Sequence, residues 1–185
     1  MKKLFYLVVL AGMITSCGNP GMNDHSSANK EKVQQFYNDV INAHNPDALA
    51  NYCSADFLDH NPDPGHSGQG VEDLKSQFKD WFAGMPDVHV TPKFMVAHGD
   101  TVVSYVTMTG TNSGPMGNMP ATNKQFTMDG IDVVVIKDGK AVERYGVFDS
   151  MKMMEQLGMM GNMGAQPDAS KMATQEEPKK DEPKK

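Results

Sequence analysis

The stretch Lys124–Gly158, KQFTMDGIDVVVIKDGKAVERYGVFDSMKMMEQLG, contains two apolar runs, a turn between them and a Met-rich helical pattern behind them. Phe126–Ile136 and Lys140–Phe148 read as strands, and Asp138-Gly139, a dipeptide tolerant of positive φ, joins them in a tight hairpin. Side chains alternate across a sheet, so Phe126, Met128, Gly130, Asp132, Val134 and Ile136 share one face. An acid therefore sits inside an apolar row. Asp149 follows the second strand and precedes Ser150-Met151-Lys152-Met153-Met154. That position suits a helix N-cap or a partly buried titratable group facing a cavity, and the two roles are compatible.

Upstream of this stretch the helix signals come first. Lys30–Ala43 places Val33, Phe36, Tyr37, Val40 and Ile41 at helical spacing, and Asn45-Pro46-Asp47 starts a short second helix with Pro near its first position. Val71–Phe82 repeats the pattern with Leu74, Phe78, Trp81 and Phe82. After Gly84 the chain turns β-branched and alternating over Val88–Val96, Thr101–Thr111, Thr122–Ile136 and Lys140–Phe148, with turns at His98-Gly99-Asp100 and Asp138-Gly139. This order predicts an α+β fold, with helices packed on one face of a curved antiparallel meander and a small-molecule pocket at its open end.

The 185 residues suit one domain with tails. Lys2-Lys3 precede a short apolar run, Leu4–Met13, and Ile14-Thr15-Ser16-Cys17 resembles a bacterial lipobox. Residues 1–16 are expected to be a lipoprotein signal peptide, Cys17 the lipidated residue, and 17–29 a flexible tether, which puts the chain in the bacterial cell envelope on a lipid anchor. A run of about ten apolar residues is too short to span a bilayer. Loss of Lys2 and Lys3 takes the formal charge from −6 to −8, so membrane attachment rests on the lipid and nucleic acid is not expected as a partner. The domain occupies 30–160. Residues 161–185, ending in Glu-Glu-Pro-Lys-Lys-Asp-Glu-Pro-Lys-Lys, are expected to be a disordered charged tail.

With Cys17 acylated, Cys53 has no intramolecular partner, and its surroundings, Ala50-Asn51-Tyr52-Cys53-Ser54, read as a buried small hydrophobe rather than a nucleophile. Asp59-His60-Asn61-Pro62-Asp63-Pro64-Gly65-His66 concentrates His and Asp, yet its spacing fits no zinc pattern and its Pro and Gly suggest a loop held by Asx turns. The sixteen methionines include Met116-Gly117-Asn118-Met119 and Met160-Gly161-Asn162-Met163. Thioethers suit Cu(I), but Met also fills apolar pockets, and Ser113–Ala121 reads equally as a Met-rich lid over an apolar ligand. No metal ligands are assigned.

Asp59-His60, Gly65 to Gly70, Phe78–Pro86, Gly110-Thr111, Gly130–Ile136 with Asp138-Gly139-Lys140, and Glu143-Arg144-Tyr145 through Phe148-Asp149 to Gln156-Leu157-Gly158 together resemble the SnoaL-like polyketide cyclase, or ester cyclase, family. The likeness spans residues 30 to 160. It implies a cone-shaped α+β barrel of the nuclear-transport-factor-two-like superfamily and ring closure by intramolecular aldol chemistry without metal or organic cofactor. It also implies that Asp149 matches the family's acid/base aspartate and His60 a pocket histidine. A homodimer through the sheet is expected by the same analogy.

Aldol closure needs a base beside a carbonyl and an acid for the new alkoxide, roles that one tuned carboxyl can fill in turn. Asp149 and His60 are the catalytic candidates. Tyr37, Trp81, Tyr105, Asp132 and Tyr145 are the ligand-pocket candidates, the tyrosines as hydrogen-bond donors and Asp132 as a second carboxyl or a structural hydrogen-bonding group. The expected function is binding of a small, largely apolar carbonyl compound, with cyclisation or isomerisation as one outcome and a non-catalytic binding or dimerisation module as the other.

Overall fold

The computed structural model describes residues 25–117 and 120–160. Helix α1, Ser26–Phe36, runs into a wider π turn at Tyr37–Ile41. A single 3₁₀ turn at Pro46–Ala48 and helix α2, Leu49–Tyr52, lead into strand β1, Cys53–Asp59. Then follow α3, Val71–Gly84; β2, His89–His98; β3, Thr101–Thr111; β4, Gln125–Lys137; β5, Lys140–Phe148; and α4, Ser150–Leu157.

The five strands form one sheet in the order β1-β5-β4-β3-β2. β2 to β5 make the expected antiparallel meander, and Asp138 and Gly139 both hold positive φ in the β4–β5 turn. β1 departs from the expected all-antiparallel sheet because it lies parallel to β5. A parallel neighbour needs a long crossover, and here the whole β1-to-β5 chain serves as one. The α+β class and the curved sheet over N-terminal helices stand as expected.

Alternation sorts the sheet's faces. Val102, Val106, Met108, Phe126, Met128 and Ile136 are buried on the inner face against Val33, Val40 and Ile41 of the N-terminal helical segment and Leu74 and Phe78 of α3. Edge strand β2 is tied down by Asn42, whose amide donates to Val90 O at 3.0 Å while its carbonyl accepts from Val90 N at 2.8 Å. That pairing blunts an edge that would otherwise invite another strand.

Helix α1 begins inside the stretch expected to be tether. Asn29 is buried and its side-chain amide donates to Gly99 O, which fastens the helix start to the β2–β3 turn. Thr122–Lys124, expected to belong to a strand, instead close the neck of a loop around Asn112. The Asn112 carbonyl oxygen of the side chain accepts from Thr122 N and Thr122 Oγ1. The expected signal peptide, the expected lipidation site Cys17 and the expected charged tail lie outside the described residues.

Candidate functional site

The register puts Ser104, Asp132 and Gly146 opposite one another in a row across the inner face of β3, β4 and β5. Asp132 thus lies between two small residues, and the space beside it is filled from elsewhere. Arg144, two positions before Gly146 on β5, points inward and folds its guanidinium back over Gly146, where any Cβ would collide with it. Arg144 Nε and Nη2 reach Asp132 Oδ1 at 2.8 and 2.7 Å, and Nη1 reaches Asp59 Oδ2 at 2.8 Å. Asp59 is the residue that faces Arg144 across the parallel β1–β5 pair, so the unexpected strand supplies the second carboxylate. The Tyr37 hydroxyl donates to Asp132 Oδ2 at 3.2 Å from the π turn, a distortion that re-aims side chains.

This cluster is desolvated: the side chains of Asp59, Asp132 and Arg144 are 2%, 9% and 16% exposed. Burial foremost, then the charge of Asp132, pushes the Tyr37 phenol far above its ordinary range, so it is a neutral donor. Burial by itself would lower the pKa of Arg144; Asp132 and Asp59 more than reverse that and keep it cationic. Two carboxylates and one guanidinium leave a formal charge of −1 at the site.

The cluster opens on an apolar cavity between α1, α3 and the sheet. Its walls include Val33, Phe36, Phe57, Leu74, Phe78, Trp81, Met108, Val134 and Phe148. It encloses ≈ 730 Å³ of atom-free space, solvent-open mouth included. The space between these walls is narrow, and a larger ligand enters by moving half-buried rings such as Phe36 or Trp81. The Trp81 indole N–H donates to Asp63, whose backbone N–H donates to Gln77 at 3.3 Å, pinning the Asp59–Gly70 loop to α3.

Of the sequence-predicted residues, Tyr37, Trp81 and Asp132 line this cavity together. The other four do not. Asp149 is exposed and caps α4, its Oδ1 accepting from Lys152 N at 3.0 Å. Tyr145 sits one residue from Arg144 and so faces outward, stacked on His60 with ring centroids 4.0 Å apart. Both rings bond Glu143, His60 Nε2 at 3.1 Å and the Tyr145 hydroxyl at 3.0 Å, and these two bonds, His60's first, hold the Glu143 carboxyl below its usual value. Tyr105 lies on the same outer face, stacked on Phe94 at 5.4 Å, with its hydroxyl engaged by Asp129. His66 turns to Asp80 at 3.2 Å, and among the described residues no group of three or more His, Cys, Asp or Glu is placed to hold a metal ion. None of the described residues of the Met-rich loop lines the cavity.

Arg144 and Asp59 carry no role in the sequence reading. Their signal was present in part, since Arg144 shares strand parity with the inward Phe148, and an inward cation requires an acid partner. Cys53 lines the cavity wall, its thiol pushed up to about 12 by burial.

The model of the SnoaL-like polyketide cyclase family matches residues 31–157. No curated protein matches the chain. Among solved structures, TsrD from Streptomyces laurentii superposes with a TM-score of 0.62 at 24% identity, over 72% of this chain and 95% of that one. IdmH from Streptomyces antibioticus, a candidate polyketide cyclase, gives 0.62 at 23% identity over 70% and 98%. A candidate SnoaL-like polyketide cyclase from Jannaschia sp. CCS1 gives 0.64 at 19% identity over 74% and 96%. These likenesses show the shared nuclear-transport-factor-two-like fold, and the family match extends over most of the helices and every strand described above. The chain belongs to the SnoaL-like polyketide cyclase family.

Proposed function

We propose that this protein binds a small, largely apolar carbonyl compound in the cavity and holds it without turning it over. The observation that carries this reading is the engagement of every carboxylate oxygen in the Arg144 cluster. Asp132 gives Oδ1 to Arg144 and Oδ2 to Tyr37; Asp59 gives Oδ2 to Arg144 and Oδ1 to the backbone N–H of Asn61 at 2.9 Å. A general base must aim a lone pair at the proton it removes, and here the guanidinium, the phenol and a backbone N–H already hold each of these oxygens toward the protein. Arg144, in contrast, has five N–H donors and spends three on the carboxylates, so the rest are available to a carbonyl oxygen.

Trp81 is the only tryptophan and lines the cavity, which makes its fluorescence a direct reporter. Titration with cyclic ketones and aromatic diketones is expected to give a saturable change that Val134→Phe, which fills the wall, abolishes. Proton NMR should recover the compound unchanged. Conversion to a cyclised product would overturn the non-catalytic reading, and silence across the series would overturn binding.

A second surface supports pairing of two copies. Phe94, Tyr105, Ile131 and Val147 are register partners from β2 to β5 and form one apolar row across the outer face. Phe94, Ile131 and Val147 are 59%, 46% and 69% exposed. We infer a homodimer through this row, which Ile131→Asp should convert to a monomer in analytical ultracentrifugation. We also infer a lipid anchor at Cys17 in the cell envelope, supported by Lys2-Lys3, Leu4–Met13 and Ile14-Thr15-Ser16-Cys17. Cys17→Ser is expected to release the protein from the membrane fraction and abolish labelling by radioactive palmitate.

A further inference from the structure

Lys32 is the cation at the other end of the cavity. It is half-buried on α1, lines the cavity, and places its Nζ against Gly139 in the β4–β5 turn. Among the described residues it has no ion-pair partner, whereas half-buried Lys75 holds Asp47 at 2.6 Å and Arg144 holds two carboxylates. Asp39, one turn beyond Phe36 on the same segment, is occupied by the Tyr52 hydroxyl. Along β5 the turn and Arg144 are five residues apart, about 17 Å at strand spacing. The cavity thus runs from an unpaired ammonium at its rim, past apolar walls, to a cluster of formal charge −1.

We propose that the ligand is an amphipathic anion, a medium-chain carboxylate whose head group pairs with Lys32 and whose body lies along the cavity towards Arg144. This rests on the reading of the cavity as a ligand site and adds the sign and position of the ligand's charge. The deep cluster repels a carboxylate, since its one cation is already outnumbered by two acids in a low-dielectric setting. At the rim a carboxylate keeps part of its water and gains the ammonium, so little desolvation opposes the ion pair. A carbonyl further along the chain would then meet the remaining N–H groups of Arg144.

The test is a Trp81 fluorescence titration of the purified protein with three ligands of equal chain length below their micelle concentrations: dodecanoate, methyl dodecanoate and dodecyltrimethylammonium. Dodecanoate is expected to bind about tenfold more tightly than the ester. The cation should bind more weakly than either. The advantage of the acid should shrink from low to high salt, vanish in Lys32→Gln and return in Lys32→Arg. Equal affinity for acid and ester, or an acid advantage that survives Lys32→Gln, would overturn the assignment of the head group while leaving the cavity a ligand site. Binding by none of the three would overturn both.

Discussion

Replacing Arg144 with Met keeps much of the side chain's length and removes its charge. The structure sets the size of the effect. Contacts at 2.7 to 2.8 Å to two carboxylates are lost, and those carboxylates, 2% and 9% exposed, remain buried without a cation. Removing one member of a buried ionic cluster costs about 3–5 kcal/mol because it strands charge, and the near-complete burial here places the expectation at about 4 kcal/mol. A domain with a stability of about 5–15 kcal/mol survives that loss in weakened form. Urea unfolding followed by Trp81 fluorescence and far-ultraviolet circular dichroism measures it. Two further outcomes separate stranded charge from lost packing. The triple change Asp59→Asn, Asp132→Asn, Arg144→Met should recover most of the stability, since no charge is then left unpaired. Acid should also narrow the deficit of Arg144→Met between about pH 7 and pH 5, because the folded variant takes up protons on the stranded carboxylates before the unfolded chain does; stability then rises as pH falls. A loss below about 1 kcal/mol, or a deficit constant with pH, would refute the ionic account of the cluster.

Asp149→Ala is expected to cost about 1 kcal/mol through loss of the α4 cap, with ligand affinity unchanged; weakened binding at undiminished stability would restore Asp149 as a site residue. Native Cys53, its thiol pushed up to about 12 by burial, should stay unlabelled by a disulfide reagent at pH 8 and react fully in urea. Cys53 and Tyr37 both have folded pKa values above their unfolded ones, so each contribution to stability is complete well below the group's unfolded pKa, about 8.5 for the thiol and about 10 for the phenol, and declines above it by about 1.4 kcal/mol per pH unit as the unfolded chain ionises. A flat urea midpoint between about pH 9 and 11 would contradict that.

The meander was legible because its strands carry their own signal. Asp138-Gly139 marks the turn, and counting by twos from Phe126 finds Asp132 on the inner face, where the structure has it. The same counting separates Tyr145 from the inward Arg144, yet the sequence reading put both Tyr145 and Tyr105 in the pocket; the register instead sets Tyr105 beside Phe94 and Ile131 on the outer face. Strand β1 was not legible. Cys-Ser-Ala-Asp-Phe-Leu-Asp follows directly on a helix without clean alternation, and its partner lies far along the chain, so no local pattern announces the pairing. Asp59 and Arg144 meet only through that topology, and the center of the cavity's polar cluster was therefore invisible to spacing alone. The π turn had no sequence signal either, since Lys30–Ala43 keeps a helical pattern straight through it.

The parallel β1–β5 pair also predicts an order of folding. Asp59 and Arg144 are 85 residues apart, whereas β4 and β5 meet across the Asp138-Gly139 turn. By the (3/2)RT ln n scaling, closing the longer loop costs about 3 kcal/mol more chain entropy than a four-residue turn. The hairpins of the meander assemble first on this account, and β1 docks last, carrying Asp59 to a guanidinium that Asp132 has already oriented. The final step of folding is then the one that desolvates the charges and seals the cavity, so the mature pocket and the completed native state arise in the same event.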